Sequence, residues 1–378
     1  MTYYPSYHTA ERPMEIELIR SMIRGDITSD EAFELKRKHD EDKEINTDDA
    51  FISKTATEWL NVPKEELSFN RLFGTFWSMG ELCILFADTN VGKSILAVQI
   101  GNSITRGEMI GGLSCTKQTD PVLYFDFELS AAQFALRYSN RGYNTYEFAP
   151  HFHRLVINPD AGRERKFASF HDYIINAFEN VLVTTKARTM IIDNITCLRT
   201  STESGAGAIK LMQSLQRIKQ KYNLSILVLA HTPKRNPARP ITRNDLQGSK
   251  MLLNFADSAF AMGESHTSPG MRYLKQIKAR NDEVEFGADS VMLCRIVKPY
   301  SFLKFEMITR EPEAAHLLTH TEQMRKTNED TISKLHAEGR SVRQIAAEVG
   351  QSRQTVFRVL KKLERTEESA GSPIGDPP

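Results

Sequence analysis

Between Gly80 and about Thr309, short apolar runs alternate with segments of helical spacing, and nothing else in the chain limits its fold so strongly. The runs are ELCILFA, PVLYFDFE, RTMIIDN, LSILVLAH, DSAFAM, RYLKQIKAR and SVMLCRIV. Several are apolar at consecutive positions, so both faces of the extended chain must be covered, as in strands held between two layers of helices. The intervening segments, such as GAGAIKLMQSLQRIKQKY, carry the spacing of covering helices. This alternation predicts an α/β domain over residues 71–310 built on a mainly parallel central sheet. A chain of 378 residues accommodates such a core together with small appended units.

Two appended units flank that domain. Residues 1–70 are polar and charged, with two helical patterns at MEIELIRSMIRG and SDEAFELKRKHDED, and read as an N-terminal helical arm. A polar link over 311–326 leads to a unit at 327–366, where three short helical patterns are punctuated by Gly339 and Gly350. Ser341 and Gln344 form a candidate capping box there. Residues 367–378 read as a disordered tail.

Composition narrows the function classes. Lysine and arginine total 49 against 48 acidic residues, a formal net charge of +1, so attraction to nucleic acid or anionic lipid must come from local patches. The four cysteines, Cys83, Cys115, Cys197 and Cys294, lie far apart without zinc-ligand spacing. Reduced thiols, the absence of a run of about 18–20 apolar residues and a polar, proline-broken start all lead to the expectation of a soluble cytoplasmic protein without membrane contact.

The stretch ILFADTNVGKSILAVQI, residues 84–100, nearly spells a phosphate-binding loop, G-x-x-x-x-G-K-[ST], with Ala87 at the first glycine position. In such a loop, backbone N–H groups surround the β-phosphate, the lysine reaches the outer phosphates and the next hydroxyl ligates Mg²⁺. Lys93 and Ser94 fill those two positions. The cradle runs through Ala87, Asp88, Thr89, Asn90, Val91, Gly92, Lys93, Ser94 and Ile95. An apolar strand precedes it and a helix follows, so phosphate would also meet a helix N-terminus. Gly92 must be small because backbone approaches phosphate there, whereas position 87 shapes the turn. A surface turn opening an ordinary helix is the competing reading.

Three further residues support the nucleotide reading, and ATP with Mg²⁺ is the cofactor set it implies. Asp193 ends the strand TMIIDN, where a metal-associated carboxylate belongs. Glu128 ends PVLYFDFE and is the candidate for orienting or deprotonating the attacking water, with Asp126 on the same face in reserve. Capping of the helix SAAQFALRY is the alternative role for Glu128. His231 closes LSILVLAH and would contact the γ-phosphate, although a lone histidine can equally be a hydrogen-bonded structural residue.

These residues resemble the RecA-like hexameric helicases of the DnaB and plasmid RepA types, with KaiC-like ATPases as cousins. The similarity spans about residues 70–310 and is most specific in LAHTPKRNPARPITRNDLQGSKMLLNFADSAFAM, residues 229–262. There His231, Arg239, Asp245, Leu246, Gly248, Ser249, Ala256 and Asp257 follow the pattern of sensor strand, basic loop, Asp-Leu, Gly-Ser and Ala-Asp. The resemblance implies a RecA-like P-loop core, makes Glu128 the catalytic glutamate, and makes Lys278 and Arg280 in QIKARND a basic finger pair completing a neighbour's nucleotide site. A charged edge strand would explain those two residues equally. A finger in trans implies a homo-oligomer, by resemblance a hexamer. Ala87 and the arm of some 70 residues, in place of the DnaB N-terminal helical domain, are departures.

Two places suit DNA. In RecA-like rings the loops after the metal-aspartate and sensor strands face the channel, here residues 199–208 and 232–248. The second carries Lys234, Arg235, Arg239 and Arg243 with two prolines, a flexible basic element for single-stranded DNA. It also fits a solvated basic loop. In the C-terminal unit Ile345, Ala346, Val349, Val356, Val359, Leu360 and Leu363 would pack two helices across Gly350, leaving Gln351, Ser352, Arg353, Gln354, Thr355 and Arg358 outward. That resembles the helix-turn-helix of recombinases and regulators, which binds duplex DNA; Arg343, Arg353, Arg358, Lys361 and Lys362 would hold phosphates. A helical hairpin for protein contact shares the pattern. The expectation is a Mg²⁺-dependent, DNA-acting ATPase, a helicase-like motor of plasmid or mobile-element replication or transfer. A duplex-binding ATPase switch and a non-enzymatic assembly factor are its rivals.

Overall fold

The computed structural model describes residues 14–32, 34–35, 52, 54–61, 70–158, 167, 169–195, 205–233, 235–246, 250–281 and 283–371. The chain divides into two compact units, Met1–Ser68 and Phe69–Pro378. In the first, α1 spans Met14–Arg24 and α2 spans Ala56–Trp59. The second helical pattern of the arm is helical at 29–32 and 34–35, and its remainder lies outside the described residues.

In the second unit a small antiparallel pair, β1 (Arg71–Phe73) and β2 (Trp77–Ser78), precedes the main sheet. The sheet contains β3 (Leu82–Ala87), β4 (Val122–Asp126), β5 (Phe152–Leu155), β6 (Thr189–Asp193), β7 (Ser225–His231), β8 (Ser258–Glu264), β9 (Met271–Lys278), β10 (Val291–Val297) and β11 (Lys304–Glu311). Their order is β11-β10-β9-β8-β3-β7-β6-β4-β5. From β8 to β5 every pairing is parallel, and β9, β10 and β11 extend the sheet in antiparallel fashion. The helices are α3 (Lys93–Arg106), α4 (Ala131–Arg137), α5 (Phe170–Thr185), α6 (Gly205–Tyr222) and α7 (Lys250–Phe255).

The continuous apolar runs are explained by two cores, one on each sheet face. Leu82, Ile84 and Phe86 of β3 enter the core formed with α5 and α6, while Cys83, Leu85 and Ala87 enter the core formed with α3 and the β1–β2 aromatics. β7 divides likewise, Ile226, Val228 and Ala230 to the first side and Leu227 and Leu229 to the second. A side-chain period of two with both faces dry leaves no polar position to alternate with. Loops following β3, β4, β6 and β7 therefore converge at one edge, where parallel sheets place ligands. Among the described residues no helix is long and apolar enough to cross a membrane, and Cys83, Cys115 and Cys294 are free thiols. Cys197 lies outside the described residues.

The link expected over 311–326 is more ordered than an open connection. A 3-10 turn covers Glu313–His316, and α8 already begins at His320, running to Ala337. Then α9 (Val342–Val349) starts at the Ser341–Gln344 capping box and stops at Gly350, φ 66°, a left-handed position at a helix C-terminus. Helix α10 (Arg353–Gly371) continues into the segment read as tail, while 372–378 lie outside the described residues. Ile332, Leu335, Ile345, Ala346, Val356 and Leu360 bury a separate small core, with Val342, Val349 and Val359 packed against it. Leu363's side chain is outside the described set.

Candidate nucleotide site

The loop after β3 sits between two parallel neighbours, Ala87 pairing with His231 of β7 and with Met262 of β8. Ala87 belongs to the buried core and its carbonyl accepts from Thr232 N at 3.0 Å, so the position absorbs a side chain as part of the strand. Gly92 cannot. Its φ is 117°, and a Cβ there would lie 2.7 Å from Cζ of Phe305 and 3.2 Å from Cδ1 of Ile296. Close approach to phosphate is thus an incomplete reason for this glycine, because strands β10 and β11 exclude a side chain from the protein side.

Helix α3 starts at Gly92 with Lys93 buried in its first turn. The Lys93 ammonium donates to the carbonyls of Ala87 at 2.9 Å and Asp88 at 2.7 Å and meets His231 Nδ1 at 3.2 Å. Burial lowers its pKa, and the carboxylates of Asp193, Glu128 and Asp88 resist that shift. Asp193 is fully buried at the tip of β6, and burial lifts its pKa to about 6 against the hydrogen bonds of Ser94 and Tyr124. The Tyr124 hydroxyl donates to Asp193 Oδ2 at 2.7 Å. Ser94 and Asp193 thus present a hydroxyl and a carboxylate, hard oxygens, and the carboxylate is disfavoured as an anion until a cation compensates it. That donor set fits Mg²⁺ carried in on a nucleotide, a metal that takes few protein ligands and retains phosphate and water.

Strand β4 ends at Asp126, so Glu128 stands two residues beyond the strand rather than at its last position. Asp126 is no reserve base: it is buried, accepts Arg154 Nε at 2.9 Å, and receives the backbone N–H groups of Glu128 at 3.1 Å and Leu129 at 2.9 Å. It fixes the turn that carries Glu128. Capping is not Glu128's work either, since Ser130 and Gln133 form the capping box of α4. The Glu128 carboxylate accepts from Asn194 Nδ2 and lies 3.3 Å from His231 Nε2. The hydrogen bond from His231 holds its pKa below the usual glutamate value, with partial burial opposing. Asn194 Nδ2 also approaches His231 Nε2 at 2.7 Å. Because Lys93 can only donate, His231 Nδ1 must accept, which leaves the imidazole proton on Nε2 facing Glu128.

Tyr124, Asn194 and Arg154 escaped the sequence reading. Their contacts cross strands, through the register Asp126↔Asp193 and Phe125↔Leu155. The only linear cue was the asparagine after Asp193.

Lys278 and Arg280 stand at the opposite end of the sheet from the loop, because β9 runs antiparallel to β8. Lys278 Nζ donates to the carbonyls of Leu253 and Ala256, each at 2.6 Å, and so closes the end of α7. Arg280 donates to Asp257 Oδ1 at 2.9 Å while its side chain remains 56% exposed. Asp257 also accepts Lys219 Nζ at 2.7 Å and Leu82 N at 2.9 Å.

The loop after β7 is anchored along its described part, in place of the flexible element expected. Buried Ile241 donates its N–H to Glu313 Oε1 at 2.7 Å, and its carbonyl accepts from Lys275 Nζ at 2.7 Å. Pro237 O accepts Leu318 N at 3.2 Å, and Thr242 caps a turn over Arg243–Asp245. Arg239 and Arg243 are exposed and Arg235 is half-buried. Lys234, Gly248, Ser249 and residues 199–204 of the other loop lie outside the described residues, while 205–208 open α6. A cleft of about 440 Å³ runs beside the phosphate loop, bordered by Asp88, Val91, Thr232, Arg235 and Asn236.

Residues 50–237 match the AAA domain family, and residues 325–363 match the helix-turn-helix domain of resolvase. No curated protein matches the chain. Among solved structures it is similar to a KaiC-like protein of the hyperthermophilic archaeon Pyrococcus horikoshii OT3, at 12% identity and a TM-score of 0.42, over 61% of this chain and 90% of that one. It is also similar to the ATPase domain of a helicase, at 13% identity and a TM-score of 0.48, over 67% of this chain and 99% of that domain. With an AAA domain on a mainly parallel sheet and a resolvase-type unit behind it, the chain is a RecA-like ATPase with a C-terminal helix-turn-helix.

Proposed function

We propose that this chain is a Mg²⁺-dependent ATPase acting on DNA, a helicase-like motor of plasmid or mobile-element replication or transfer that works as a homo-oligomer, by family resemblance a hexamer. One observation carries the reading: Lys93, Ser94, Asp193, Glu128 and His231 meet at one edge of the sheet within a single hydrogen-bonded set. Backbone N–H groups from Asp88 to Ile95 would hold the phosphates at the start of α3. Ser94 and Asp193 would hold Mg²⁺, which neutralises phosphate charge when bound.

The roles follow from the resting contacts. An incoming γ-phosphate displaces the Lys93 ammonium from the carbonyls of Ala87 and Asp88 and gives it a charged acceptor. Glu128, ionised at neutral pH, accepts a proton from the attacking water while Asn194 holds its carboxylate. His231 touches both Lys93 and Glu128, so phosphate loss changes its partners and, through Thr232, the loop bearing Arg235, Arg239 and Arg243. Arg280 of a neighbouring copy supplies the cation for developing charge, a contribution of about 10³–10⁵ in rate for such fingers. The contacts of Lys278 favour a structural role at α7 over a share in that finger.

ATP turnover measured with single-stranded, forked and duplex DNA tests the proposal. The motor reading requires stimulation by single strands and unwinding of the fork; an assembled oligomer showing neither would sink it. Lys93→Ala must abolish nucleotide binding, and Glu128→Gln must retain binding without turnover. The helix-turn-helix favours a second reading, an ATPase switch, which would bind one duplex sequence in a nucleotide-dependent way without opening it.

A further inference from the structure

Helix α10 carries a side chain that the small C-terminal core does not use. Val356 is fully buried and Leu360 nearly so, both packed against Ile332, Leu335, Ile345 and Ala346. Phe357, one residue on and therefore about 100° around the helix, is 61% exposed and lies outside that cluster. Arg353, Gln354, Arg358 and Lys361 are exposed on the same helix, and positions 353, 354, 357, 358 and 361 share one face by their spacing. From Gly350 to Leu363 the chain has four cations, Arg353, Arg358, Lys361 and Lys362, and no acidic residue. The start of the helix is fixed by Ser352, whose Oγ accepts from Thr355 N at 3.1 Å.

A phenyl ring framed by cations and an amide, on the second helix of a helix-turn-helix, matches one feature of duplex DNA. Phosphates flank the major groove, and the apolar group projecting from its floor is the C5-methyl of thymine. A protein partner for the ring would have to supply carboxylates for the cations around it, whereas a duplex supplies anions on both sides of the groove.

We propose that Phe357 is a specificity-determining residue that packs on a thymine methyl in the major groove, so that the sequence this chain selects contains a thymine it reads by shape. The proposal rests on the reading of the C-terminal unit as a duplex-binding module. It assigns to Phe357 a discrimination that Arg353, Arg358, Lys361 and Lys362, as phosphate contacts, cannot make.

The test uses the full chain. Duplexes are selected from a randomised pool, and affinity for a selected duplex is measured by fluorescence anisotropy at fixed salt. Each thymine is then replaced by deoxyuridine, which removes only the methyl. At one position the replacement weakens wild-type binding about 4-fold, the equivalent of one buried methyl group. Phe357→Ala binds the thymine duplex at least that much more weakly and no longer distinguishes deoxyuridine there, while Phe357→Leu keeps part of the discrimination. An unchanged melting temperature shows that the exposed position leaves the fold intact. If wild type binds no duplex in any nucleotide state, the DNA-binding reading of the unit falls and this proposal with it. If duplexes are selected but every deoxyuridine is neutral, or Phe357→Ala remains as sensitive to deoxyuridine as wild type, the role of Phe357 alone is overturned. The role is equally overturned if Phe357→Ala lowers the oligomer mass and leaves DNA affinity unchanged, since the ring then covers a second copy.

Discussion

Substituting Gly92 by alanine separates two reasons for a glycine in this loop, and the protein without nucleotide decides between them. If only the approach of phosphate required glycine, the ligand-free protein would tolerate a methyl group. The structure predicts otherwise. At φ 117° an L-residue is strained by about 1–2 kcal/mol. The new methyl would also stand 2.7 Å from Cζ and 3.1 Å from Cε2 of Phe305, an aromatic side chain only 2% exposed and unable to swing aside. Overpacking of that kind costs a further 1–3 kcal/mol or so, for a total of about 2–5 kcal/mol. Trp77, fully buried in the same core as Phe305, reports unfolding in guanidinium by its fluorescence. Gly92→Ala should lower the midpoint with the slope unchanged. In a Phe305→Leu background the overpacking share, about 1–3 kcal/mol, should disappear and the backbone share remain, a coupling that a double-mutant cycle reads directly. A Gly92→Ala midpoint equal to wild type, or the same cost in both backgrounds, would refute the reasoning.

Tyr124→Phe removes a hydroxyl donor from Asp193 and should raise the Mg²⁺ concentration needed for nucleotide binding by roughly 10-fold or more, as lost outer-shell partners do; unchanged Mg²⁺ dependence would deny Tyr124 that role. Glu313→Gln leaves the Lys275 ammonium without its carboxylate in a buried position and should destabilise by about 3–5 kcal/mol, with faster amide exchange at Ile241. Exchange at Ile241 as slow as in wild type would show that the loop is held by something else. Asp257→Asn weakens the shared acceptor of Lys219, Arg280 and Leu82 N and should cost about 1–3 kcal/mol in thermal unfolding. A variant as stable as wild type would make that cluster incidental.

How far these features were visible in the sequence depends on whether neighbours in space are neighbours in the chain. The phosphate loop, its strand and its helix are contiguous, so Lys93, Ser94 and their setting were legible at once. The strand tips bearing Asp193 and His231 were legible because buried strands end where polar residues begin. β5 and β11 were not, since Phe152–Leu155 is short and mixed, and Lys304–Glu311 mostly alternates without a continuous apolar run. Nor was the obstacle at Gly92, because the ring that fills its Cβ position arrives on the last strand. The duties of Asp126 and Lys278 misled for a related reason: a charged residue near a site looks chemical until its partners, Arg154 for one and the α7 carbonyls for the other, are seen.

Those partners share a physical consequence. Every cation proposed to act on the nucleotide is already satisfied by its own chain: Lys93 by the carbonyls of Ala87 and Asp88, and Arg280 by Asp257. The two exchanges differ in energy. Lys93 trades neutral carbonyls for a phosphate anion in a site where it is buried, so binding is favoured by the stronger charge-assisted contact. Arg280 must leave a carboxylate that is itself buried, but its own side chain is more than half exposed, so solvent screening weakens the hold. Asp257 keeps Lys219 and Leu82 N when Arg280 departs, and no buried charge is stranded. The arginine is therefore released at low cost, whereas Lys278, bound to two carbonyls that have no other donor among the contacts described, would uncap α7 if it moved. If a finger reaches a neighbour's nucleotide, these contacts assign the reach to Arg280 and the anchoring of its base to Lys278.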